Sequence, residues 1–309
     1  MSDVEVSIII CTHNRAAELG RVLDDLASQA GIGRMQAELI VVDNNSSDAT
    51  RGLVEARAAG FPLPVRYLFE PTQGKSHALN RGIREARGAI LAFTDDDVRL
   101  PPRWLAGLLA PFARASCMGV AGAVRPYWSE PPPAWVSESE PYRMMAAIVQ
   151  YWQGPEPGLA RTAPIGANCA WRRDVFERHG GYRTDLGPAG AGSLLGEDTE
   201  FGLRMQGAGE EIWYTPEAML YHPVAPDRLR KEYFLAWYFH SGKAEAYRRP
   251  EASVRIAGVP RYLFRELIAS AARWLFSRAP ARRFYFKLLT WQAAGRIRGY
   301  RERRRVPHP

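Results

Sequence analysis

The sequence predicts an α/β protein, a mostly parallel sheet flanked by helices, with a basic helical extension at its C-terminal end. Three observations predict it. Short apolar runs alternate with segments whose apolar residues recur at helical spacing. A polar cluster closes each run, and the charge balance changes sign near residue 226. Runs that are apolar throughout, rather than at every second residue, belong to strands buried on both faces, as in parallel sheets.

The elements follow in order. Ser7–Cys11 is the first run, and Leu19, Val22, Leu23 and Leu26 follow at helical spacing. Leu39–Val42 is the second, followed by Leu53, Val54 and Ala58. Val65–Phe69 is the third, before Leu79, Ile83 and Ala86. Ala89–Phe93 is the fourth, before Trp104, Leu105, Leu108, Leu109 and Phe112. In such sheets ligands bind outside the carboxyl ends of the strands, so the residues closing each run are the candidate site. They are Thr12-His13-Asn14-Arg15, Asp43-Asn44-Asn45, the stretch from Glu70 to Gly74-Lys75, and Thr94-Asp95-Asp96-Asp97.

The aspartate triplet carries the strongest chemical signal. Three adjacent carboxylates repel one another unless something positive sits among them. Hard divalent cations such as Mg²⁺ and Mn²⁺ prefer oxygen ligands and are commonly shared between carboxylates and substrate phosphates. A solvated turn capping the helix that begins near Pro101-Pro102 accounts for the same residues. Asp43 either accepts hydrogen bonds from a base or ribose, or caps a helix. Gly74-Lys75 either supplies backbone N–H groups and a charge for a diphosphate, or leaves Lys75 as a solvated cation. The absence of Gly-x-Gly-x-x-Gly after the first strand counts against a dinucleotide-binding domain, and no P-loop motif occurs.

The chain of 309 residues is 46% hydrophobic and 24% charged, enough for one large domain and an appendage. Cys11, Cys117 and Cys169 show no metal-type spacing and read as reduced core residues of a cytoplasmic protein. No basic-then-apolar leader is visible, and no apolar stretch approaches the ~20 residues that span a bilayer. The net charge of +8 hides a division. Residues 1–226 hold 21 basic and 27 acidic side chains, whereas residues 227–309 hold 20 and 6, so an acidic body carries a tail of +14. Such asymmetry points to a polyanionic surface as partner for the tail.

Six segments, in order, resemble family 2 glycosyltransferases, whose nucleotide-sugar-binding fold is called GT-A. They are Val6–Arg15, Ile40–Asp48, Gly74–Gly82, Ala92–Asp97, Gly166–Ala170 and Gly196–Glu200, spread over about residues 4–224. The resemblance implies a catalytic domain over 1–226, with a nucleotide-binding half at 1–100 and an acceptor-binding half at 101–226, and an extension over 227–309. It implies that Thr12, Asn14, Arg15, Asp43 and Asn45 line the nucleotide-sugar site, with Asp43 on the base. Lys75 would lie near the diphosphate, with Asp95 and Asp96 on the donor and Asp97 binding the cation, Mn²⁺ or Mg²⁺. Asp198, beside Glu197, would be the general base. His222 would be a further metal ligand, or a structural histidine after the strand Ala218-Met219-Leu220. Asp198 also suits a helix N-terminus, since Phe201, Leu203, Arg204 and Met205 follow.

The implied reaction is metal-dependent transfer with inversion, from a nucleoside diphosphate sugar, a uridine diphosphate sugar first, to a saccharide or polyprenyl-linked acceptor. The Gln-x-x-Arg-Trp motif of processive synthases is absent, and the corresponding stretch reads Trp237–Lys243. One sugar per encounter is therefore expected, in bacterial polysaccharide or glycolipid assembly. Between Tyr127 and Pro164 a segment rich in Pro, Glu and aromatics is expected to shape acceptor or sugar choice, to act as a lid, or to be an irregular connection. In the tail, Leu263, Phe264, Leu267, Ile268, Ala271, Trp274 and Leu275 fall on one helical face, with Phe284, Leu288, Leu289 and Trp291 on a second helix. Basic amphipathic helices bearing Trp and Phe suit an anionic membrane, here its cytoplasmic face, and a solvated pair packed on the body is the alternative. No nucleic-acid module occurs. The rival functions are a sugar nucleotidyltransferase, which usually carries a Gly-rich basic loop after its first strand, and a catalytically silent membrane-associated nucleotide-binding protein.

Overall fold

The computed structural model describes residues 4–188, 196–248 and 254–303. Four parallel strands form its first half: β1 (Val6–Thr12), β2 (Ala37–Asp43), β3 (Val65–Phe69) and β4 (Ile90–Asp95). Helices α1 (Ala16–Ala27), α2 (Thr50–Ala58) and α3 (Lys75–Glu85) connect them, and α4 (Trp104–Leu109) follows β4. Every residue of β2 is buried, which is why its sequence shows a run rather than an alternation. β3 is an edge strand and is only half-buried.

Four more strands complete the sheet: β5 (Cys117–Tyr127), β6 (Gly158–Leu159), β7 (Asn168–Arg172) and β8 (Glu211–Pro223). The order is β3-β2-β1-β4-β7-β5-β8-β6. β7 runs antiparallel between β4 and β5, whereas β5 and β8 are parallel. Helices α5 (Arg173–His179) and α6 (Glu197–Gly207) belong to this half. One core joins Ile9, Ile40, Phe93, Trp171, Phe176 and Phe201. Two close approaches need glycine. A Cβ on Gly119 would run into the Trp171 ring, and one on Gly107 would stand 2.6 Å from the Glu217 carbonyl carbon. Buried Asn168 donates to the carbonyls of Ala123 (2.8 Å) and Ala218 (2.6 Å) and accepts from Trp104 Nε1 (2.8 Å). Fully satisfied in this way, it locks β7 to β5, β8 and α4. Cys11, Cys117 and Cys169 are free thiols, the last two buried.

The described residues form two compact units, one of 4–127, 150–188 and 197–223, the other of 128–149, residue 196 and those from 224 onward. The second unit contains α7 (Lys231–Arg248), a hairpin of β9 (Arg255–Ile256) and β10 (Val259–Pro260), α8 (Arg261–Phe276) and α9 (Pro280–Arg303). The backbones of α7 and α9 touch: a Cβ on Gly295 would run into the Phe239 carbonyl oxygen. The aromatic segment after Tyr127 is irregular yet well packed. Met144, Ala147 and Ile148 are buried with Phe234 and Phe284, and Trp135 meets those two rings edge-on at 5.2 and 4.9 Å. The apolar face expected on α8 is split. Leu263 is buried, with Phe264 and Leu267 packed beside it, while Ile268 and Leu275 are exposed. No described helix is long and apolar enough to cross a membrane.

Candidate active site

Sheet register sets the site. Thr12 stands opposite Asp43 and Cys11 opposite Asp95, so the carboxyl ends of β2, β1 and β4 finish side by side. His222 reaches this edge from the other half of the sheet. Arg99 and Tyr221 exchange N–H···O bonds of 2.8 and 3.0 Å in an isolated antiparallel bridge, which ties the chain after Asp97 to the end of β8. His222 Nε2 consequently lies 3.5 Å from Asp97 Oδ1. One ligand atom from each of Asp95, Asp97 and His222 falls within 4.8 Å of the others. Two carboxylates and an imidazole fit a divalent cation of the Mn²⁺ or Mg²⁺ kind, and leave positions for water or phosphate oxygens.

Two basic side chains pair with the acids. Lys75 Nζ lies 2.5 Å from Asp95 Oδ1. Burial alone would lower the Lys75 pKa, but Asp95, Glu197 and Asp198 outweigh it and hold the ammonium above the usual lysine range. Asp95 is held low in turn: Lys75 prevails over burial. Arg15 Nη1 bridges Asp96 Oδ1 (2.9 Å) and Asp97 Oδ2 (2.7 Å). Burial nevertheless pushes Asp96 up to about 6, opposed by Arg15 and assisted by Asp97. In this arrangement the guanidinium occupies an oxygen of Asp97, the acid expected to bind the cation. Arg15→Gln is therefore expected to raise the Mn²⁺ affinity of the nucleotide-free protein several-fold. Calorimetry showing equal or weaker Mn²⁺ binding would contradict that competition.

Asp198 stands at the N-terminus of α6, as its helical neighbours predict, where the dipole favours a carboxylate. Its Oδ2 accepts from Gly166 N at 2.8 Å and its Oδ1 from Thr199 N at 2.6 Å. These bonds fix its orientation and leave lone pairs for a proton. Glu197 is buried, and burial with Asp198 alongside, opposed by Lys75, pushes its carboxyl up to about 7.

On the other side of the edge, Asp43 accepts from Ser46 N (2.8 Å) and from Tyr67 OH (2.7 Å). Asn14 Oδ1 accepts from Ser47 N at 2.7 Å, pinning the loop after β1 to the loop after β2. Thr12 is buried at the end of β1, while Asn45 is exposed with φ 65°. The side chain that organises this loop is Asn44, which the motif reading passed over in favour of Asn45. Asn44 donates to Glu70 O (3.2 Å) and Thr72 O (2.7 Å), and its Oδ1 accepts from Gly74 N (2.8 Å). It thereby fixes Gly74, whose φ of 140° favours glycine, directly before Lys75. Tyr67, which holds Asp43, was missed as well; nothing in a strand sequence distinguishes it from an ordinary half-buried aromatic.

The family described as Glycosyl transferase family 2 matches residues 7–180. The chain is 29% identical over 241 residues to the succinoglycan biosynthesis protein ExoM of Rhizobium meliloti (strain 1021), covering 78% of this chain and 74% of that protein. It is 26% identical over 230 residues to glycosyltransferase AglE of Haloferax volcanii, covering 74% and 70%. Among solved structures, the mannosyltransferase PcManGT from Pyrobaculum calidifontis, in complex with GDP-Man and Mn²⁺, superposes with a TM-score of 0.65 at 21% identity, over 96% of this chain and 86% of that one. GalNAc-T7 with UDP, GalNAc and Mn²⁺ gives 0.56 at 17% identity, over 79% and 51%. A match over more than half the chain, with a sheet of this order and these relatives, leads to one conclusion: the chain belongs to family 2 of the glycosyltransferases and is a glycosyltransferase of the GT-A fold.

Proposed function

We propose that this enzyme transfers one sugar, with inversion and with the help of a divalent cation, from a nucleoside diphosphate sugar to the hydroxyl of a saccharide or lipid-linked acceptor. The observation that carries the reading is the grouping of its acids. Asp95, Asp97 and His222 converge, whereas Asp198 lies outside that group, at the start of α6, with its carboxylate oriented by the N–H of Gly166. The first group suits a leaving diphosphate, and the second suits an attacking hydroxyl. When bound by Asp97, His222 and Asp95, the cation supplies Lewis-acid stabilisation of the diphosphate as it departs. Lys75 and Arg15 add positive charge beside it. Asp43 and Asn14 orient the nucleoside, and Asp198 takes the acceptor proton as its oxygen attacks the anomeric carbon. A single base on the face opposite the leaving group gives direct displacement, hence inversion.

Polysaccharide or glycolipid assembly at the inner face of the cell membrane is the proposed setting. It is supported by the name of ExoM and by the basic extension. A panel of nucleoside diphosphate sugars, uridine donors first, tests the reading by thermal shift. A ligand at about 100 times its Kd stabilises a fold by roughly 2.7 kcal/mol, which moves the midpoint by several degrees. One donor is expected to do so with Mn²⁺ and much less with a chelator. A panel in which no sugar nucleotide shifts the midpoint would contradict it.

A further inference from the structure

We propose that the tip of the α8–α9 hairpin is a docking surface for an anionic phospholipid bilayer. This locates, on named residues, the membrane setting proposed above, and rests on that reading. The inner face of α8 is satisfied within its own unit. Leu263 is buried, Ser270 Oγ accepts from Thr290 Oγ1 at 3.2 Å, and Trp274 meets Trp291 edge-on at 5.8 Å. A second apolar stripe remains uncovered. Ile268 and Leu275, seven residues apart and so on one side of the helix, are 69% and 66% exposed. Phe276, at the very end of α8, is 86% exposed, the most exposed large apolar side chain among the described residues.

The charge around that stripe identifies its occupant. From Leu267 to Arg301 the sequence holds eight basic residues and no acid. Arg296 and Arg298 are neutralised by Glu245, Glu266 and Glu302. Arg273, Arg278, Arg282, Arg283 and Lys287 form no ion pair with any described residue. Arg273, Arg278 and Arg282 line an open cleft of about 540 Å³ together with Phe276 and Ser277. Lys287 lies over the rings of Trp274 and Trp291, at 5.3 and 5.2 Å. An exposed aromatic and aliphatic end of the helix, sharing a cleft with arginines that have no ion-pair partner among the described residues and followed by tryptophans under a lysine, matches the layers of a bilayer: acyl chains, phosphates and interface. A nucleic acid would use the arginines but leave Ile268 and Leu275 in water. A second copy of the same face would bring like charges together.

Flotation of the full chain with vesicles tests the surface. The wild type is expected to float with vesicles of phosphatidylcholine and phosphatidylglycerol in equal parts, less so at high salt, and not with phosphatidylcholine alone. The triple variant Arg273→Gln, Arg278→Gln, Arg282→Gln is expected to lose about 100-fold in partitioning, at roughly five-fold per arginine. Leu275→Glu with Phe276→Glu is expected to lose at least about ten-fold. All these positions are exposed, so thermal midpoints and nucleoside diphosphate binding are expected to stay at wild-type values. A wild type that floats together with variants that float equally well overturns this surface and leaves the membrane setting standing. A wild type that remains unbound, or that self-associates through Phe276 instead, overturns both.

Discussion

Replacing Asp198 by Asn is expected to abolish sugar transfer while leaving donor binding intact. A positioned general base contributes about 10²–10⁴-fold to such a step, so a loss of roughly 10³-fold in kcat is the expected result. The variant isolates chemistry from structure. The amide keeps the shape of the side chain, and its single carbonyl oxygen keeps one of the two backbone N–H bonds, from Gly166 and Thr199, that Asp198 now accepts on separate oxygens. The position at the start of α6 is only half-buried, so the fold loses little beyond one of these hydrogen bonds and a favourable charge at a helix N-terminus. Nucleoside diphosphate affinity, measured by calorimetry with Mn²⁺, is expected to remain near the wild-type value. Wild-type turnover in this variant would remove Asp198 as the base. A parallel loss of donor binding would instead make it part of the donor site.

Asp97→Asn is expected to have the complementary effect. Asp97 is the one acid of the triplet that faces both Arg15, at 2.7 Å, and His222, at 3.5 Å. The neutral amide is a far weaker cation ligand. Outer-sphere partners of a metal alone are worth about 10–100-fold, so losing a direct ligand should cost roughly 100-fold or more in Mn²⁺-dependent nucleoside diphosphate affinity. Binding in the presence of a chelator should change little, since Asp43, Asn14 and Lys75 remain. The loss should therefore appear as a collapse of metal dependence rather than of binding altogether. Equal metal dependence in wild type and variant would assign the cation elsewhere.

Much of this site is legible in the sequence, because parallel strands bring the residues after consecutive apolar runs to one edge. Asp43, Thr12 and Asp95 could be placed from strand ends alone, and the register aligns them. His222 was identified only through a family resemblance. Its proximity to Asp97 depends on the Arg99–Tyr221 bridge, a backbone contact between distant segments that leaves no trace in periodicity. The insertion of β7 between β4 and β5 was invisible for a similar reason, since a short buried strand reads alike in either direction. Asn44 and Asn45 are adjacent and chemically identical. Only the fold reveals that one is buried and holds Gly74 while the other is exposed. The aromatic segment after Tyr127 has no helical or strand period, so its partners in α7 and α9 could not be read from its own residues.

The proposed site has Asp97 and His222 holding a cation against a nucleoside diphosphate. Its most direct test is anomalous diffraction at the manganese edge, from crystals grown with Mn²⁺ and uridine diphosphate. The expected result is a peak at coordination distance, about 2.1 Å, from Asp97 and His222 and touching the diphosphate, with Arg15 displaced from Asp97. A diphosphate bound at the strand ends with no peak beside those two residues would contradict the account.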